Sequence, residues 1–127
     1  MDTRSADRLV RRYWSTINEL DVDAMMDLWC PDGVLADPVG ANYLVGRDRI
    51  REHKENVFKN LRSADGKVTW VMRCGDEIAT TVALEVTGLT GRLVTLDFVG
   101  ILRTNDSGQL SSALDYYDVA ALRSIMP

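Results

Sequence analysis

Lys67-Val68-Thr69-Trp70-Val71-Met72-Arg73-Cys74, then Gly75-Asp76, then Glu77-Ile78-Ala79-Thr80-Thr81-Val82-Ala83-Leu84-Glu85-Val86-Thr87, reads as two β-rich runs joined by a tight turn. Two more such runs, Gly91 to Arg103 and Gln109 to Val119, follow the turn residues Gly88-Leu89-Thr90 and Asn105-Asp106-Ser107-Gly108. Links this short join antiparallel neighbours, so the second half of the chain predicts a four-stranded meander.

Upstream the period changes from two to about 3.6. Leu9, Val10, Tyr13, Trp14, Ile17 and Leu20 recur at three- and four-residue steps and predict an amphipathic helix over Ser5 to Leu20. Asp21 or Asp23 can cap a second, shorter helix carrying Met25, Met26, Leu28 and Trp29, which Pro31-Asp32-Gly33 ends. Gly33 to Asp37 alternates as a short strand, and Pro38 to Tyr43 is expected to be a loop. A third helix is predicted over Gly46 to Leu61, with Ile50, His53, Val57 and Leu61 facing inward and Arg, Asp, Glu and Lys on its solvent face. Ser63 to Gly66 then reads as a turn. The expected class is α+β: three N-terminal helices packed on one face of a curved antiparallel sheet, forming a cone with an internal apolar pocket.

The 127 residues suit a single domain, 1–127, with 46% hydrophobic and 27% charged residues. Fifteen Lys and Arg against nineteen Asp and Glu give a net charge of −4, and no basic run is present, so nucleic acid is not expected as a partner. No apolar stretch reaches a membrane span, and the N-terminus is charged where a secretory signal would be apolar. The expectation is a cytoplasmic protein without membrane contact. Cys30 and Cys74 are too few and too far apart for a disulfide framework or a zinc pattern, and are expected as reduced thiols packed as small apolar groups. With one histidine, no clustered carboxylates and no Gly-rich phosphate loop, neither a metal nor another cofactor is expected.

The search for chemistry narrows to polar residues that point into the pocket. Asp37 ends an apolar strand and precedes Pro38-Val39-Gly40. A carboxylate beside Leu35, Val39 and Met25 or Met26 is desolvated, which raises its pKa towards that of a useful general base; an Asx-turn cap before proline accounts for the same residues. Tyr13 lies on the apolar stripe of the first helix, where its hydroxyl needs a partner, either a substrate oxyanion or a backbone carbonyl. Trp14, Met25, Trp29, Val39 and Tyr117 are candidate pocket walls, and most of the methionines, Met72 included, and all three tryptophans are expected in the core. Glu85 is expected at the surface, and His53 as a packed or surface residue.

Arg12-Tyr13, the Asp37-Pro38-Val39-Gly40 run, Gly46 before a helix, and Asp97 together resemble a bacterial ketosteroid isomerase. That family belongs to the cone-shaped superfamily of nuclear transport factor 2, the SnoaL-like polyketide cyclases and limonene epoxide hydrolase. The resemblance covers nearly the whole chain and is strongest in Asp37-Pro38-Val39-Gly40 placed after Tyr13. It implies Asp37 as the base, Tyr13 as an oxyanion donor, and a second acidic donor beside it. Two registers compete for that donor: counting from Glu85 to Gly88 selects Asp97, whereas counting back from the Asn105 to Gly108 turn selects Gly100. If Asp97 points outward it is a dimer-face or solvent residue.

Leu114-Asp115-Tyr116-Tyr117-Asp118 resembles the last strand of limonene epoxide hydrolase, where an aspartate serves the epoxide. That enzyme also uses an Arg and an Asp on a neighbouring strand, whereas Thr80 to Leu84 carry no charge here. An epoxide-opening or ring-forming cyclase needs only an acid and a base around an apolar substrate, which Asp37 and Asp115 can supply. Asp115 and Tyr117 share a strand face, so at least one should line the same pocket as Asp37. The expectation is therefore a cofactor-free isomerase acting on an apolar, steroid-like carbonyl compound. The alternatives are a SnoaL-like cyclase and a non-catalytic ligand-binding or dimerising module. The resemblance also implies a homodimer.

Overall fold

The computed structural model describes residues 1–127. The chain runs α1 (Thr3–Asn18), α2 (Val22–Met26), β1 (Trp29–Ala36), β2 (Tyr43–Val45), α3 (Arg47–Lys59), β3 (Leu61–Cys74), β4 (Glu77–Gly88), β5 (Leu93–Thr104), β6 (Leu110–Tyr116) and α4 (Val119–Arg123). One six-stranded sheet has the order β2-β1-β6-β5-β4-β3. The predicted α+β class is present, with helices packed on a curved, unclosed sheet.

Several details differ from the sequence reading. The sheet is mixed, because β1 lies parallel to β6 while every other pair is antiparallel. Trp29 opens β1 instead of closing the second helix, and the expected turn at Ser63 to Gly66 is continuous strand. Gly66 stays in that strand because the Trp14 ring occupies the space a side chain would fill, and because Asn18 clamps its backbone with bonds of 2.7 and 3.0 Å. Tyr43 to Val45 form a short edge strand, and a fourth helix follows Asp118, whose carboxylate accepts from Ala120 N at 3.0 Å.

Curvature has a local cause. Between Val68 and Trp70 the β3–β4 register slips, leaving Thr69 as an extra residue whose hydroxyl meets the Thr81 carbonyl at 3.0 Å. A bulge of this kind bends the strand that carries it. The concave face holds Val82, Leu84, Val86, Leu96, Phe98 and Leu102, packed with Val10, Tyr13 and Trp14 of α1 and Met25 and Met26 of α2. Along β5 the burial alternation places Leu96, Phe98 and Gly100 inward and Asp97 outward. The register counted from the Asn105 turn is the one the chain adopts. That turn is built by Asn105, whose side-chain oxygen accepts from Ser107 N and Gln109 N at 3.0 and 2.9 Å.

Trp70 and Met72 were expected in the core, but both are half exposed on the convex side. Cys30 is buried and Cys74 is exposed, and both are free thiols. Glu85 is exposed, as its alternation with apolar neighbours predicts. No helix is long and apolar enough to cross a membrane.

Candidate active site

Asp37 stands one residue beyond the end of β1. The neighbouring strand β6 pairs Leu114 with Ala36, and Val39 N donates to the Asp115 carbonyl at 2.8 Å, so the backbone carries Asp37 and Asp115 side by side. The Asp37–Pro38 peptide bond is cis. Asp37 is 7% and Asp115 2% exposed, so both carboxyl groups lie out of bulk water.

Three donors surround Asp37. Tyr117 Oη donates to Oδ1 at 2.7 Å, and His53 Nε2 lies 2.9 Å from Oδ2. The Lys54 ammonium is 3.6 Å from the same Oδ2. Burial alone would raise the Asp37 pKa, but the Lys54 charge, His53 and the Tyr117 hydroxyl together hold it well below the usual carboxylate value. The sequence reading had it raised; the local donors overturn that direction.

Asp115 moves the other way. Burial, and then the charge of Asp37 beside it, push its carboxyl well above the usual value, and its Oδ1 has no hydrogen-bond partner. Two carboxyl groups packed together in low dielectric resist ionising together, and their surroundings favour the charge on Asp37 and the proton on Asp115.

Tyr13 is 1% exposed, and its hydroxyl is likewise unpartnered. Burial raises its pKa, so it remains a phenol with a proton to donate. Lys54 Nζ sits 5.9 Å from the centre of its ring. Burial works against the Lys54 ammonium, yet Tyr13, Asp37 and Asp115 keep it protonated, with its pKa above the ordinary lysine value. Tyr117 is raised by burial and by Asp37, so it too stays a hydroxyl donor.

The cavity above this cluster measures about 60 Å³ and is mostly apolar. Its walls include Trp14, Phe98 and Tyr117. Trp14 meets Phe98 edge-on at 4.8 Å between ring centroids, and Phe98 stacks on Tyr117 at 5.6 Å. Of the pocket residues expected from sequence, Trp14 and Tyr117 line the cavity. Met25 and Trp29 do not: both are fully buried core residues behind it. Val39 does not either, since it lies 42% exposed beyond the Pro38 turn. Asp97 is solvent-exposed on the outer face of β5, so it is not the second donor, and Gly100 takes the inward position. Asp115 and Tyr117 both line the cavity that Asp37 lines.

Two site residues escaped the sequence reading, His53 and Lys54. His53 was expected to pack or face solvent and instead bonds Asp37; Lys54 was assigned to the solvent face of its helix and is 4% exposed. A signal was available, because Ile50, Lys54 and Phe58 are four residues apart and form the buried stripe of α3. A lysine in the middle of an apolar stripe marks a buried charge that requires a partner.

The site is thus a carboxyl pair with phenol and ammonium donors at one end of an apolar cavity in a helix-backed curved sheet. The sequence model of the SnoaL-like domain matches residues 10–113, and the chain belongs to that family. No curated protein matches the chain by sequence. Among solved structures it is similar to SalBIII, an epoxide hydrolase/cyclase-like enzyme with a role in pyran ring formation in the polyether salinomycin. The TM-score is 0.83 at 21% identity, covering 94% of this chain and 95% of that one. It is also similar to an epoxide hydrolase of Mycobacterium tuberculosis that is like limonene epoxide hydrolase, with TM-score 0.80, 18% identity and coverage of 98% and 90%. A protein of Catenulispora acidiphila DSM 44928 with a ketosteroid isomerase-like fold gives TM-score 0.82, 18% identity and coverage of 93% and 91%. The NTF2-like fold anticipated from the sequence is thus the fold of the chain.

Proposed function

We propose that this protein is a cofactor-independent acid–base enzyme that closes a ring by opening an epoxide on an apolar substrate. The observation that carries the reading is the buried Asp37 and Asp115 pair at the edge of the same cavity, with donors gathered on Asp37 and none on Asp115 Oδ1, which favours the charge on the first and the proton on the second. In the reaction a substrate hydroxyl attacks an epoxide carbon and gives its proton to Asp37. The carbon–oxygen bond of the epoxide breaks, and the leaving oxygen takes the proton of Asp115. The product is a cyclic ether bearing a new hydroxyl, of the same mass as the substrate. Return of the proton from Asp37 to Asp115 resets the pair. The cavity contributes by holding nucleophile and epoxide together, and by excluding water that would open the epoxide to a diol. SalBIII, whose fold matches, takes part in pyran ring formation.

Isomerisation of an unsaturated ketone is the second reading, supported by the unpartnered Tyr13 hydroxyl, which suits an enolate oxygen. The exposed position of Asp97 counts against the two-donor arrangement the resemblance implied.

The test offers purified protein a hydroxy-epoxide able to close to a six-membered ether and, separately, a β,γ-unsaturated cyclic ketone. Ring closure without change of mass, lost about 100-fold or more in both Asp37→Asn and Asp115→Asn, is the expected result. Conjugation of the ketone alone would transfer the assignment to the isomerase. Tight binding of both compounds, with no turnover by wild type, would overturn the enzymatic reading.

A further inference from the structure

The pair Asp37 and Asp115 poses a question of symmetry. Both carboxyl groups are buried, both line the cavity and both come from adjacent strand ends, so their burial alone does not decide which one ionises. The groups facing them are His53 and Lys54 from α3, Tyr13 from α1, and Tyr117 just past β6. Tyr13 and Tyr117 are neutral hydroxyls, and His53 carries a charge only when protonated. Lys54 is the group among them that its acidic partners keep cationic despite burial.

We infer that Lys54 is a positioning residue that divides the charge between the two aspartates: its ammonium, enclosed beside Asp37, keeps the negative charge there and leaves the shared proton on Asp115. The inference rests on the acid–base reading above and adds a residue to it. The geometry is asymmetric in the required sense. Nζ approaches Asp37 Oδ2 at 3.6 Å, whereas Asp115 Oδ1 has no donor at all. The one ion pair of Lys54 is with Asp37; beside it stands Tyr13, and the Asp115 carboxyl feels the ammonium from beyond ion-pair distance. A lysine inside the apolar stripe between Ile50 and Phe58 weakens helix packing, since a buried ion pair is commonly no more stable than apolar residues of similar volume. Its effect falls on the proton distribution of the site.

The test measures the two carboxyl titrations directly, by carbon-13 NMR of aspartate-labelled protein, in wild type, Lys54→Met and Lys54→Arg. Resonances are assigned with Asp37→Asn and Asp115→Asn. An opposite charge within about 4–6 Å lowers an aspartate by about 1 to 3 pH units. The lower titration of the pair should therefore rise by that amount in Lys54→Met and return towards wild type in Lys54→Arg. The acid limb of the rate profile should move with it. Titrations in Lys54→Met that match wild type would overturn the proposal, whatever happens to turnover. If Lys54→Met does not fold, Lys54→Gln takes its place under the same criterion. Failure of the acid–base reading looks different: turnover would survive in both Asp37→Asn and Asp115→Asn while the Lys54-dependent titration shift persisted.

Discussion

The Tyr117 hydroxyl donates to Asp37 Oδ1 at 2.7 Å, joining two residues 80 positions apart in the chain. The contact exists because β1 and β6 lie side by side and parallel, so that the residues just past their ends meet at the rim of one cavity. Tyr117 also stacks on Phe98 at 5.6 Å, which fixes its ring independently of the hydroxyl.

Tyr117→Phe should therefore remove one donor from Asp37 while leaving the wall in place. A hydrogen bond to a charged group contributes about 1.5 to 3 kcal/mol, and a loss of that order is expected in urea denaturation near neutral pH. The Asp37 titration should move up towards the ordinary value. An unchanged titration would mean that the hydroxyl bond contributes nothing to holding the charge.

The two aspartates act on stability in opposite directions as pH changes. Asp37 titrates below its usual 3.8 in the folded protein, so its contribution is present above about 3.8 and is lost as pH falls through the folded value. Asp115 titrates above 3.8 when folded, so its contribution is complete below about 3.8 and is lost as pH rises towards the folded value. Asp115→Asn removes only the second effect. Denaturation midpoints at pH 5 and pH 8 should show the variant gaining on wild type at the higher pH. Parallel behaviour of the two proteins would show that Asp115 is not held protonated.

Gly66 is a strand residue over which the Trp14 ring lies, and a Cβ added there would meet Trp14 Cζ3 at 2.8 Å, with Cε3 nearer still. Gly66→Ala must displace a ring that lines the cavity and meets Phe98 edge-on. Overpacking of this kind costs about 1 to 3 kcal/mol. A lower melting temperature is expected, together with an altered near-ultraviolet circular dichroism spectrum. A variant as stable as wild type, with the same spectrum, would show that Trp14 has room to move.

The fold was legible where the pattern is local. Alternation and short turn sequences located β4, β5 and β6, and a 3.6-residue period located α1. Elements set by tertiary contact were not. Gly66 reads as a turn residue until Trp14 is laid over it, and Trp29 reads as helical until β6 pairs with it. Asp37 and Tyr13 stand out as site candidates because each is a polar residue in an apolar run, and Asp115 because its strand resembles the last strand of limonene epoxide hydrolase. Asp97 was ambiguous because one residue of register exchanges the two faces of a strand. Lys54 was assigned outward because charge was weighed above its position between Ile50 and Phe58. The direction of the Asp37 shift was missed for the same reason, since it depends on donors from α3 and beyond β6 that no local window contains.

The polar groups of the cavity are unevenly distributed. Asp37, Asp115 and Tyr117 stand at the β1 and β6 side, whereas Leu61, Ala64, Leu84, Val86 and Leu96 line the β3 to β5 side. A molecule with one greasy end and one oxygenated end has a single favourable way to lie across such a sheet. On the proposed acid–base reading, regiochemistry would be decided at entry: of several similar functional groups along a substrate, the one at the leading oxygenated end would reach the aspartates, with the others shielded against leucine, valine and alanine.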